Sequence, residues 1–279
     1  MFVMKMLASG SNCLPAGGIG AMAEQLAAGL PPGAVRLNAA VEAVDGTEVT
    51  LRGGEKVAGS RVVVAVEGPE AGRLVGPLLG QPGKASKEPL APGVGTACVY
   101  FRAPRHPSEE PVLYLNGGDG GIVNNCCFPA TVQPTYAPAG QALVSASTVR
   151  DPPRPGGRCP RRPPLAARSP RPSPPAPPPP PPQVGVPDMP DEELAEAVRA
   201  HLGAWFGEAE VAPWELLRVY RVPYSQPPQA PPTDQFRDSS LGGGVFVCGD
   251  HRTAATHDGA LKSGRVAAEA VLRDMGVLP

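Results

Sequence analysis

The sequence predicts an α/β protein in which a helix-flanked portion with buried strands is joined to a second lobe built on an antiparallel sheet. Three observations lead there. The 34 glycines and 39 prolines among 279 residues break the chain too often for a bundle of long helices. Two short runs, residues 61–66, apolar throughout after Arg61, and residues 245–248 with Val245, Phe246 and Val247, read as strands buried on both faces. Between residues 96 and 149, four strand candidates are separated by Pro and Gly turns, the pattern of antiparallel connections.

The elements follow in order. Gly17, Gly18 and Gly20 turn the chain into a short helix with Ile19, Met22, Leu26 and Leu30 on one face, stopped by Pro31, Pro32 and Gly33. Residues 35–44 alternate over part of their length, and Asp45-Gly46 and Gly53-Gly54 bracket residues 48–52, so two or three short antiparallel strands are expected. The run 61–66 ends at Glu67-Gly68-Pro69, and residues 70–79 form a short helix. Strands over 96–101, 112–115, 121–128 and 142–149 make the sheet of the second lobe. Asp191 caps a helix through Phe206, whose Leu194, Ala197, Val198, Leu202, Trp205 and Phe206 form one apolar stripe. A strand over 214–222 follows, then Pro223 and the Pro-rich residues 227–232. After the strand at 245–248, Asp258 caps a helix to about Arg273.

Proline is concentrated in one place. Residues 152–182 hold 16 prolines, six arginines and no acid, so the formal net charge of −1 becomes −7 without them. Such a stretch neither pairs as strand nor propagates as helix, and a solvated polyproline-like loop is expected: a ligand for an SH3-type or profilin-type partner, a disordered insertion, or retained intron sequence. The mildly acidic remainder argues against nucleic-acid binding. No apolar run reaches the length of a transmembrane helix, and the first residues carry no secretory cleavage pattern. Six cysteines without a CxxC pair exclude the usual zinc frameworks; Cys126-Cys127 is either a redox pair or two buried thiols.

The chemistry concentrates near the end. Gly249 lets the backbone turn where a ligand approaches, and Asp250 sets a carboxylate at a strand's carboxyl end, where ligands sit in open α/β sheets. Gly259 and Ala260 leave first-turn amides of the last helix open to an anion or a partly negative oxygen. His257 either touches a ligand there or is a loop and capping histidine.

Gly249-Asp250 and the run Gly259-Ala260-Leu261-Lys262-Ser263-Gly264-Arg265-Val266-Ala267-Ala268 resemble the C-terminal flavin-binding motif of the FAD-dependent amine oxidase and phytoene desaturase superfamily. Leu14-Pro15-Ala16-Gly17-Gly18-Ile19-Gly20 resembles its mid-chain turn, and residues 35–44 and 62–69 resemble two of its strands. The resemblance implies an FAD-dependent oxidoreductase that takes hydride from a C–H or C–N bond. It assigns cofactor contacts to Val41 through its backbone, Gly249, Asp250, Gly259, Ala260 and Leu261, and singles out no catalytic acid or base. The wording is similar to that of phytoene-dehydrogenase-like proteins of cyanobacteria and plastids, which implies a lipophilic polyene substrate and a chloroplast setting, although no transit peptide is visible.

The superfamily's opening Gly-x-Gly-x-x-Gly unit has no counterpart in this sequence, so the fold expected is an incomplete FAD-binding Rossmann-like domain with an antiparallel substrate lobe. Its parts are FAD-domain residues 1–70, lobe strands 71–151, the insertion 152–183, lobe helix and strand 184–240, and the FAD-binding strand and helix 241–279. Residues 245–248 are then expected to present an open sheet edge. The expectation is then that the chain is a fragment or that another polypeptide completes the domain; the alternative to the oxidoreductase is a non-catalytic remnant with at most a protein-interaction role through the Pro-rich stretch.

Overall fold

A computed structural model describes residues 13–79, 93–117, 121–148, 189–227 and 237–279. In chain order its elements begin with α1 (Ala21–Ala28), β1 (Val41–Asp45), β2 (Glu48–Leu51), β3 (Lys56–Ala58), β4 (Val62–Val64) and α2 (Gly68–Leu79). They continue with β5 (Val94–Ala103), β6 (Leu113–Leu115), β7 (Val123–Cys127), α3 (Pro129–Val132), β8 (Ala142–Thr148), α4 (Asp191–Phe206), α5 (Glu208–Val211) and β9 (Glu215–Gln226). The last are β10 (Ser240–Gly242), β11 (Val245–Val247) and α6 (His257–Asp274). The molecule is mixed α/β, and the chain divides into two compact units, Met1–Ala28 with Gly95–Pro223, and Gly29–Val94 with Tyr224–Pro279.

The first unit is built on a five-stranded sheet in the order β6-β7-β8-β5-β9. Its centre is an unbroken antiparallel register from Ala97 opposite Thr148 to Ala103 opposite Ala142. The period of two sends Ala97, Val99, Phe101 and Ala103 to the same buried face as Val144 and Ala146, where Leu194, Val198 and Leu202 of α4 cover them. Tyr114, Phe128, Phe206 and Trp214 close the layer edge to face. The same alternation separates Cys126, buried in the core, from Cys127 on the other face, and the described cysteines are all free thiols. His201 of α4 accepts the Val123 amide at 3.0 Å through Nδ1, which ties helix to sheet.

One expectation is corrected in this unit. Pro190 holds the cap position of α4, and Asp191 is instead a first-turn acid whose carboxylate meets Arg221. Helix α1 buries none of its residues, and Leu26 of its apolar face is 61% exposed.

The second unit holds two three-stranded sheets. One is the antiparallel meander β1-β2-β3 and the other runs β10-β11-β4. In the latter, β11 pairs parallel with β4, Val245 to Val62 through Val247 to Val64, and antiparallel with β10. The open edge expected at residues 245–248 is therefore not there. Strand β11 is the middle strand, and Val245, Phe246, Val247 and Cys248 are all buried. Among the described residues the edges fall on β10 and β4, which corrects the reading of 61–66 as buried on both faces. Val64 packs with Leu74 and Val75 of α2, whereas Val63 points the other way and is 42% exposed.

Candidate functional site

Strands β4 and β11 end side by side, with the Cys248 amide donating to the Val64 carbonyl at 3.0 Å. Strand β4 runs through Glu67 into Gly68, the first residue of α2, and β11 runs through Gly249 into a 3₁₀ turn, Asp250–Arg252, before α6. Carboxyl ends of adjacent parallel strands form the crevice where α/β sheets take ligands.

Gly249 has φ 148°, a region that side chains rarely enter, and a Cβ there would lie 2.5 Å from His251 Cε1. Its amide donates to the buried Ser263 Oγ at 3.0 Å, so the strand end is pinned to α6. Asp250, next in the chain, is part-buried. Burial pushes its carboxyl above the ordinary range, while backbone amides at His251 and Asp250 itself pull it back less strongly.

The His251 side chain is only 3% exposed. Burial, then the Arg252 and Arg237 charges, push it down to about 4, so the ring is neutral at pH 7. Neither ring nitrogen has a hydrogen-bond partner among the described residues. The nearer Asp250 oxygen stands 3.9 Å from Nδ1, beyond hydrogen-bond reach. A buried polar atom left so costs about 1–3 kcal/mol, an unmet demand beside Asp250.

Tyr224 reaches the same place from the end of β9. Its pKa is pushed up to about 12 by burial and then by the charges of Asp250 and Glu67, while the Gly68 amide beside the hydroxyl pulls it back less strongly. The ring lies between two glycines, since a Cβ would stand 2.6 Å from Oη at Gly68 and 2.1 Å from Cε2 at Gly93.

At the start of α6 the cap is Thr256, not Asp258. Its Oγ1 accepts the Gly259 amide and its carbonyl accepts the Ala260 amide, both at 2.9 Å. Those two amides are thus spent within the turn, which corrects the expectation that they stand open. The open ones belong to His257 and Asp258, which have no helical carbonyl one turn back. Gly259 is irreplaceable for steric reasons, because a Cβ would lie 1.9 Å from the Ala254 carbonyl oxygen. Leu261 is 54% exposed and His257 lies in solvent at the helix start.

Val41 opens β1, and its carbonyl accepts Arg73 Nη2 at 3.1 Å. Beside it is a cleft of about 650 Å³ lined by Ala39, Ala40, Val41, Arg52, Val66 and Arg73, among others. Val66 connects the two areas, because its carbonyl lies 3.5 Å from where a Gly249 Cβ would be. The structure thus gathers Gly249, Asp250 and the start of α6, and places Val41 on an adjoining cleft. Thr256, three residues before Gly259, carried a legible cap signal; nothing in the sequence marked Tyr224 or the burial of His251.

Residues 4–154 and 182–272 match the family model of flavin containing amine oxidoreductases. The chain belongs to that family. Its fold is also that of solved structures. Reduced UDP-galactopyranose mutase superposes with a TM-score of 0.60 at 13% identity, over 94% of this chain and 52% of that one. A putrescine oxidase redesigned in its cofactor binding gives 0.59 at 15% identity, over 92% and 53%. This amine oxidoreductase chain therefore spans about half the length of the solved structures it matches. Comparison with curated proteins found no match.

Proposed function

We propose that the protein acts as an FAD-dependent oxidoreductase, in which Val41, Gly249, Asp250 and the α6 turn of Gly259, Ala260 and Leu261 line the cofactor, with the open His257 and Asp258 amides at the helix start facing its partly negative atoms. The observation that carries this is the strand-end constellation of Gly249, Asp250 and α6 in a chain of this family. The residues suit a dinucleotide. Gly249 removes the side chain that would block approach, the Asp250 carboxylate accepts from hydroxyls, and the unpaired His251 nitrogens mark a polar demand at the same turn. When bound, FAD accepts hydride from a substrate bond. The chain's part is to orient and to set the field: amides at the α6 start favour negative charge, and the partly buried carboxylate gains strength as an acceptor when water is excluded. The α6 wording favours a lipophilic, polyene-type substrate and desaturation over amine oxidation.

The test is to purify the chain and look for flavin absorbance with FAD released on denaturation. Anaerobic addition of a polyene should bleach the flavin, and addition of a diamine should not; the reverse pattern removes the desaturase assignment. A colourless chain that takes up no added FAD removes the reading altogether.

A second reading has its own observation in the unpaired edge of β4 with Val63 exposed among the described residues. A partner segment carrying Gly-x-Gly-x-x-Gly and pairing there would make flavin binding depend on a second polypeptide. Uptake of FAD only after such a segment is supplied in trans separates this reading from the first.

A further inference from the structure

Resting on the reading that this strand end takes a flavin dinucleotide, we propose that Tyr224 is a further ligand-binding residue, donating its phenolic hydrogen to a hydroxyl oxygen of a polyhydroxylated chain. Its position is fixed by glycines. A Cβ at Gly68 would lie 2.6 Å from Tyr224 Oη and 3.6 Å from His251 Cβ, and a Cβ at Gly249 would meet the His251 ring at 2.5 Å. Phenol, imidazole and the turn bearing Asp250 are therefore contiguous, at the ends of two paired parallel strands.

The hydrogen-bond inventory sets the role. A phenol has one hydrogen to donate, and the Gly68 amide beside its oxygen is itself a donor, so it leaves that hydrogen for a partner. The buried imidazole, with both nitrogens unpaired among the described residues, is independent evidence that the cluster has a polar partner to meet.

The ligand chemistry follows from charge. The carboxylates of Asp250 and Glu67 both act on the phenol, so a phosphate placed here meets two like charges. Hydroxyl groups instead donate to the carboxylates and accept from the phenol. A polyol chain offers both capacities on successive carbons, whereas an anion offers only acceptors.

Tyr224→Phe keeps the ring between Gly68 and Gly93 and removes only the donor. Binding by the full chain is measured with FAD, with riboflavin, which carries the polyol chain without phosphate, and with ADP, which lacks that chain. The variant is expected to bind FAD and riboflavin about tenfold more weakly, one hydrogen bond's worth, and ADP as tightly as the wild type does. Equal riboflavin affinity in variant and wild type overturns the proposal and leaves the flavin reading standing. Weakening toward ADP as well shows general damage and overturns it too. A wild-type chain that binds none of the three overturns both. If Tyr224→Phe does not fold, fluorine NMR of the chain labelled with 3-fluorotyrosine decides: a tyrosine resonance moved by riboflavin and not by ADP supports the proposal, and resonances unmoved by riboflavin refute it.

Discussion

Asp250 and His251 adjoin in the chain, yet burial affects stability through them in opposite pH ranges. The imidazole is pushed down from 6.5 to about 4, so between those values the unfolded chain binds the extra proton and folding loses ground as pH falls. This stability is fully present above pH 6.5 and is lost toward pH 4, where the deficit reaches about 3 kcal/mol by linkage. Urea unfolding at pH 7 and pH 4.5 is expected to show the loss in the wild type, and His251→Asn to flatten that part of the profile. An unchanged slope in the variant would assign the acid loss to other groups. Asp250 has the reverse sign: its raised pKa means that the ionised carboxylate weakens the fold at neutral pH. Asp250→Asn is accordingly expected to keep or raise the melting temperature while lowering flavin affinity at least tenfold. A drop in both would make Asp250 a structural residue. The sequence showed Asp250 because a strand-end carboxylate after glycine is a local pattern. It did not show the neutral state of His251, which depends on the packing of Gly249 and Gly68 and on Arg237, brought from elsewhere in the chain to join the neighbouring Arg252.

At the scale of elements, the start of α6 carries the argument. Thr256 Oγ1 caps it through the Gly259 amide, Thr253 Oγ1 donates to the Gly259 carbonyl at 2.7 Å, and Ser263 ties it to Gly249. The helix end and the strand end therefore move as one piece. Thr256→Ala is expected to cost about 1 kcal/mol, as loss of a cap does, and to weaken flavin binding along with it, whereas Asp258→Ala leaves stability within about 0.5 kcal/mol. Equal costs by denaturant titration would return the cap to Asp258. The existence and type of most elements were legible, because the apolar runs and the stripe of α4 are strong local signals. Their edges were less so. Strand β9 runs on to Gln226 through Pro223, and the strand expected over 35–44 begins only at Val41. Which strand sits in the middle of a sheet is a long-range fact, and β11 gained its central place from partners at residues 62–64 and 240–242.

For the whole molecule, the family match passes over residues 155–181 and resumes at 182, nearly the bounds of the basic proline-rich stretch. That stretch lies outside the described residues, between Thr148 at the end of β8 and Asp191 at the start of α4. Both elements belong to the first unit, and their core residues Val144, Ala146, Leu194 and Val198 share one cluster. On the proposed reading of residues 152–182 as an insertion with no packing role, its cost is the entropy of closing a long connection. Deleting it shortens that connection about fourfold, and the logarithmic dependence on length returns roughly 1 kcal/mol. For a chain of this size that raises the melting temperature by about 2–4 °C. The deletion also removes six arginines and leaves a formal charge of −7, so the shortened chain should bind more strongly to an anion exchanger. Calorimetry of both chains, with flavin uptake measured alongside, tests the reading: a small rise with uptake unchanged supports it. A fall of about 5 °C or more, or loss of flavin, would show that residues 152–182 pack against the fold and that the proline excess belongs to the working protein.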